Sequence, residues 1–109
     1  MLYDKKWDNL KVVEKQPWQL LLERAADLIE QRGHCKNAVE DSKGRMCIIG
    51  ALTNIAQSHN YNGFVEAKGK LILHLGLKND GGMSLVNWNN TFNTTKEEVI
   101  VACRAAARS

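Results

Sequence analysis

Cys47 is the residue of this chain most readily placed in a reaction. It stands at the first turn of the apolar stretch Ile48-Ile49-Gly50-Ala51-Leu52, which reads as a helix. A thiol at a helix N-terminus ionises more readily and serves as a nucleophile. In an enzyme built this way Cys47 attacks and His34 or His59 acts as base, with His74 as a third imidazole. The plainer reading makes Cys47 a small buried apolar side chain. A nucleophile needs a base and an orienting group placed in space, so the expectation is no catalytic residue, with Cys47, His34 and His59 as the set if the protein is an enzyme.

His34, Cys35, Cys47 and His59 are also the available metal donors. Structural zinc draws its ligands in short-spaced pairs. Here His34 and Cys35 are adjacent, and eleven residues separate Cys35 from Cys47 and Cys47 from His59. That spacing leads to an expectation of no metal and no cofactor. Cys35 and Cys47 are candidates to approach one another, and a disulfide requires Cα atoms within about 7 Å. Three cysteines, an odd number without a CxxC pair, fit reduced thiols in a cytoplasm better than a secreted framework.

Binding chemistry is the other option. Trp88 among Asn87, Asn89 and Asn90 offers an aromatic face with amide neighbours, although asparagines are equally suited to turns and caps. Tyr3 and Trp7, with Leu2, are aromatic and apolar anchors of the kind that protein contacts favour. The candidate binding residues are therefore Trp88, Asn89, Asn90, Trp7 and Tyr3, and a protein partner is expected to touch residues 1–16 or 77–93. Nucleic acid is a weaker alternative. The formal charge is +3, from 15 basic and 12 acidic residues. Lys43, Arg45, Lys68, Lys70 and Lys78 are interrupted by Asp41, Glu66 and Asp80, whereas a nucleic-acid footprint is concentrated.

These residues need a scaffold. A length of 109 residues, 44% hydrophobic and 25% charged, describes one ordinary globular domain. No run approaches the ~18 apolar residues of a membrane span, and the charged N-terminus does not read as a signal peptide. Residues 1–16 follow no single period and read as an N-terminal arm; residues 17–109 read as a single helical domain. Pro17 opens a helix whose inner face is Trp18, Leu21, Leu22, Ala25, Leu28 and Ile29, and Gly33 ends it. Residues 38–47, with Gly44 at the bend, read as a small hairpin. Residues 47–58 form the expected central helix, buried almost all round, with Gly50 packed closely on the first helix. A third helix spans 64–75 until Gly76 stops it, with Phe64, Ala67, Leu71 and Leu75 inward. Residues 77–93 are irregular, with Leu85, Val86 and Trp88 plugging the core from a short turn. Thr94-Thr95-Lys96-Glu97 reads as a capping box for a last helix, whose inner face is Val99, Ala102, Cys103 and Ala106. The fold class is mainly α: a compact four-helix domain with a small β-hairpin.

From Trp18 onward the chain resembles a domain of unknown function found in short actinobacterial, proteobacterial and phage proteins. Its pattern is a Trp-Gln start to an Ala-Ala helix, a Gly-Trp-Cys-Gln-like turn, Cys-Ala-x-Gly-Ala-Leu, Trp-Asn-Asp, and a Thr-x-x-Glu-Val helix. The corresponding residues are Trp18-Gln19, Ala25-Ala26, Gly33-His34-Cys35-Lys36, Cys47-Ile48-Ile49-Gly50-Ala51-Leu52, Trp88-Asn89-Asn90 and Thr95-Lys96-Glu97-Glu98-Val99. His34 stands where the pattern has Trp, and Asn90 where it has Asp. The resemblance implies a cytoplasmic bacterial or phage protein and implies no reaction. The functional expectation is an accessory protein that binds a host or cellular protein. The alternatives are a Cys-dependent enzyme centred on Cys47 and a weak nucleic-acid-binding module.

Overall fold

Pro17, Trp18, Leu21, Leu22, Ala25, Ala26 and Ile29 recur at the spacing of a helix with two apolar sides, and helix α1 spans Pro17–Arg32. The computed structural model describes residues 15–91 and 93–109; Tyr3 and Trp7, and the arm of residues 1–14, lie outside them. Four more helices follow: α2 Ile48–Gln57, α3 Phe64–Leu75, α4 Met83–Asn90 and α5 Lys96–Ala107. The architecture is thus five helices, with no sheet among the described residues. None of these helices is long and apolar enough to cross a membrane.

The helix at the centre is α1, not α2. It packs on α5, α2 and α3, while α2 otherwise touches α3 and α4 lightly. Leu21, Leu22, Ala25, Ala26 and Ile29 are fully buried. Each Leu or Ile so buried contributes roughly 1.5–3 kcal/mol. Alanines on the facing surfaces, Ala25 and Ala26 on α1 and Ala102 and Ala106 on α5, are all buried and let the two helices lie close. Arg104 of α5 spans the seam, donating to Asp27 (2.9 Å) and Glu30 (3.0 Å) of α1. α2 is buried on one side only, through Ile48, Gly50, Ala51, Leu52 and Ala56, with Asn54 and Gln57 exposed.

The expected hairpin at 38–47 is absent. Met46 instead sits between two single bridges, parallel to His34 and antiparallel to Glu40. Asp41 is the physical reason. Its Oδ1 accepts the N–H groups of Lys43 (3.0 Å) and Arg45 (2.9 Å), and its Oδ2 accepts from the Arg45 side chain (2.5 Å). A side chain that captures backbone donors in this way competes with a strand ladder. The Met46 N–H then turns to Gly33 O (3.0 Å), and the Cys47 N–H to Val39 O (3.1 Å).

Two details of the expected helices also move. The short turn in 77–93 is a full helix, α4, closed on the core by Leu85. The α5 capping box is one residue later than expected. Thr95 Oγ1 accepts the Glu98 N–H (3.1 Å), and Glu98 Oε1 accepts the Thr95 N–H (3.0 Å). Thr94-x-x-Glu97 and Thr95-x-x-Glu98 both fit the motif, and the structure buries Thr94.

Gly50 is met first by the 38–47 loop rather than by α1. A Cβ built on it would lie 2.2 Å from Val39 O and 2.9 Å from Val39 Cγ1, so the loop backbone rests directly on α2. Gly69, in the middle of α3, has nothing within 4 Å of the same position. Gly69→Ala should therefore stabilise the fold by about 0.5–1 kcal/mol, the helix propensity difference alone, measured as a raised urea midpoint at unchanged slope.

Candidate functional site

The four residues after Leu85 bring the helix face round once more, and they bring Asn89 onto the buried side of α4. Asn89 is 1% exposed, and every hydrogen-bonding position of its amide is used. Oδ1 accepts the N–H of Ile48 (3.0 Å), the first residue of α2, and is 2.7 Å from His34 Nε2. Nδ2 donates to Cys35 O (3.2 Å) and to Asn90 Oδ1 (3.0 Å). Because Oδ1 only accepts, His34 Nε2 must carry the proton of that bond. Asn90 Oδ1 also accepts the Asn37 N–H (2.8 Å), and Lys36 Nζ donates to Thr91 O. One short polar stretch on α4 thus holds the 34–37 loop and the start of α2 together.

Positions 34 and 90 would keep these bonds with other residue types. An indole at position 34 would carry a ring N–H as His34 Nε2 does, and a carboxylate at position 90 would accept as Asn90 Oδ1 does. Asn90→Asp should accordingly leave thermal stability within about 0.5 kcal/mol of the wild type, the range of a neutral surface change. Asn90→Leu, which removes the acceptor, should cost about 1–2 kcal/mol. Differential scanning calorimetry at pH 7 separates the two.

Cys47 is the N-cap of α2. Its Sγ accepts the Gly50 N–H at 3.2 Å, and it is 7% exposed. Cys35 is also buried and donates its S–H to Arg45 O (3.2 Å) and Ala38 O (3.4 Å). Burial first, then the charges of Asp41 and Cys47, push the Cys35 thiol up, against an opposing pull from Arg45. All three thiols are free.

His34 and Cys47 both border the Asn89 network, but His59 lies beyond the far end of α2. Ten residues of helix, about 15 Å, separate it from Cys47. There its Nδ1 is 3.0 Å from both Ser58 Oγ and Ile55 O. His74 is exposed near the end of α3. Among the described residues no three His, Cys, Asp or Glu side chains gather as a metal would need. The basic residues are dispersed: Arg45 pairs with Asp41, Lys68 lies over the Phe64 ring and Lys70 over the Trp18 ring.

One groove borders this network, and a second lies among α3, α4 and α5. The first, of about 390 Å³, is lined by Asn37, Ala38, Val39, Cys47, Ile49, Val86 and Asn90. Val39 is 60% exposed on its rim. The Asn90 Nδ2, which has no protein partner among the described residues, is the amide donor left over on the wall. The other groove, of about 380 Å³, is bordered by His74, Trp88, Glu97, Glu98 and Val101. Of the expected binding residues, Asn90 lines the first groove, Trp88 the second, and Asn89 lies behind the first as its support. Val39 and Ile49 are not among the expected binding residues, and Val86, expected to plug the core, instead lines the first groove; such β-branched residues carry no signal for a groove until the fold gathers them.

Cys103, on α5, belongs to neither groove. It is fully buried, and burial pushes its thiol up to about 12, with Arg104 pulling weakly the other way. An unfolded thiol ionises near 8.5, so the unfolded chain loses this proton first. The contribution of the protonated thiol is complete below about pH 8.5 and is lost as the pH climbs toward 12, by up to about 1.4 kcal/mol per pH unit. Cys103→Ser should flatten the alkaline limb of a stability–pH profile measured by urea unfolding.

No curated protein and no solved structure matches the chain. One family model does, and it spans residues 14–109, which takes in both grooves, the Asn89 network and all five helices. On that match the chain belongs to a family of unknown function, DUF6197.

Proposed function

We propose that the protein acts by binding: it is a small cytoplasmic accessory protein, of the bacterial or phage kind, that takes a segment of a host or cellular protein into the groove beside Asn90. The observation that carries this reading is an apolar groove wall, exposed Val39 with half-buried Ile49 and Val86, fixed to a buried polar anchor, Asn89. A groove of about 390 Å³ is at the scale of small binding sites, roughly 300–1,000 Å³. Its walls need little ordering on association, because Asn89 already holds the loop, α2 and α4 in place, and such preorganisation lowers the cost of binding. The Asn90 Nδ2, without a partner among the described residues, suits a backbone carbonyl of an extended segment.

A Cys-dependent enzyme draws less support. Cys47 Sγ is bonded to the Gly50 N–H and to no imidazole among the described residues, and His59 sits at the other end of α2. Nucleic-acid binding draws less again, since the cations are spread among aromatic and carboxylate neighbours.

The test is affinity capture from a bacterial lysate with four baits: wild type, Val39→Asp, Val86→Asp and the control Val65→Asp, which alters an exposed apolar site on α3. Proteins retained by wild type and by Val65→Asp should be lost from both groove variants, by tenfold or more. A partner that survives both groove changes and is lost with Val65→Asp overturns the assignment of the binding face.

A further inference from the structure

We propose that Cys35 and Cys47 form a redox-active dithiol that exchanges with low-molecular-weight disulfides reaching it through the groove beside Asn90. The pairing of the two backbones is the starting point. The Met46 N–H donates to Gly33 O (3.0 Å), and the Cys35 N–H donates to Met46 O (3.1 Å). These two bonds make His34 and Met46 partners in a parallel bridge. Cys35 and Cys47 are the next residue along on each side. In that register they leave the same face, and the charge of Cys47 is felt at the Cys35 thiol; the Asn89 amide enters between Cys35 O and the Ile48 N–H, where the next ladder bond would run, so the two backbones stand somewhat wider here than the about 4.8 Å of paired strands. A disulfide spans Cα separations of about 4.4–6.8 Å, a range that one residue beyond a paired position falls within once the 35–39 loop adjusts.

The two sulfurs have unequal surroundings, and this sets their roles. Cys47 lines the groove, and its Sγ receives the Gly50 N–H at the head of α2, a bond that strengthens when sulfur carries charge. Cys35 does not line the groove. It is held as a donor by Ala38 O and Arg45 O, and its proton is harder to remove because it is buried near Asp41 and Cys47. Cys47 is therefore the attacking thiol and Cys35 the resolving one. Cys47 thiolate attacks one sulfur of the small disulfide, forming a mixed disulfide, breaking the original S–S bond and releasing one small thiolate. Cys35 gives its proton to that thiolate and attacks Cys47 Sγ. The mixed disulfide breaks and a second small thiolate leaves, taking its proton from solvent. Two protein thiols are oxidised to one disulfide, and one small disulfide is reduced to two thiols.

The bridge has a structural consequence. Cys35 must release two carbonyls, and Cys47 must turn from Gly50, which loosens the 35–39 loop that carries Val39. The site stands whether or not a protein segment occupies the groove.

The experiment incubates the folded, full-length protein in glutathione buffers of rising disulfide fraction, quenches with acid, and alkylates in denaturant. Intact mass and peptide mapping then count the remaining thiols. Free thiols should fall from three to one, with Cys103 left alkylatable and Cys35 linked to Cys47, and dithiothreitol should restore all three. Cys35→Ser should accumulate a glutathione adduct on Cys47, while Cys47→Ala should leave Cys35 unmodified. The proposal is overturned if all three thiols survive every buffer, if the bridge involves Cys103 or a second chain, or if Cys35 takes the adduct in Cys47→Ala. Should a variant fail to fold, the wild-type map decides alone.

Discussion

Asn89→Ala should be the most damaging single change in the described part of the molecule, lowering stability by about 3–5 kcal/mol. The substitution leaves the Ile48 N–H and Cys35 O buried without their partner. An orphaned buried group costs roughly 1–3 kcal/mol, and the His34 ring loses its acceptor as well. Against a total stability of about 5–15 kcal/mol, this is a large fraction. The melting temperature should fall by roughly 12–20 °C, taking about 4 °C per kcal/mol, the lower end of the range for small domains. Asn89→Asp does not rescue the position. A carboxylate still accepts from Ile48 and His34, but it faces Cys35 O and Asn90 Oδ1 with oxygen where the amide had donors. Amide hydrogen exchange supplies a second readout. The Ile48 N–H should lose protection in Asn89→Ala even under conditions where α1 and α5 remain folded. If Asn89→Ala unfolds within about 1 kcal/mol of the wild type, the amide is not the anchor of this end of the molecule.

Gly50→Ala is the second large effect, and its sign opposes helix propensity. Alanine gains about 1 kcal/mol over glycine in a helix interior. The added Cβ, however, would lie 2.2 Å from Val39 O, and that contact is with backbone. To clear it, the loop must lift from α2, which breaks the Cys47 N–H bond to Val39 O. Overpacking of this kind costs about 1–3 kcal/mol, occasionally more, so the net change is a loss of up to about 2 kcal/mol. The Gly69→Ala variant serves as the matched comparison: the same substitution, mid-helix, with open space in place of a carbonyl. Opposite shifts in the two urea midpoints would establish that Val39 sets the sign. Gly50→Ala should also deform the Val39 rim, so binding by the groove should weaken beyond what the stability loss explains.

Local pattern reached α1 and α3 but stopped short of the site. The bounds of both helices follow from Pro17, Gly33 and Gly76 together with apolar spacing, because each signal lies within one or two turns of the position it specifies. The 33–47 segment follows different rules. Asp41 wins its backbone donors from the ladder expected of a 38–47 hairpin. Gly50 was legible as a site of close approach, but the approaching group was not, because Val39 reaches it through a loop whose path depends on Met46. Asn89 is the sharpest case. Its spacing from Leu85 placed it on an inward face, yet asparagine is so common at turns that its neighbours suggested a surface. Its partners, His34, Cys35 and Ile48, lie 41 to 55 positions away in the chain, beyond the range of any local rule.

The seam between α1 and α5 has one more consequence. Gln19 Nε2 donates to Ala107 O at 3.0 Å, so the chain enters and leaves the helical body at the same end. A short flexible linker from residue 109 back to residue 15 would close the body into a ring without disturbing either helix. New ends opened among the exposed residues 78–81 would then give a circular permutant whose scaffold is intact, and the body is equally suited to insertion as a cassette within a loop of another protein.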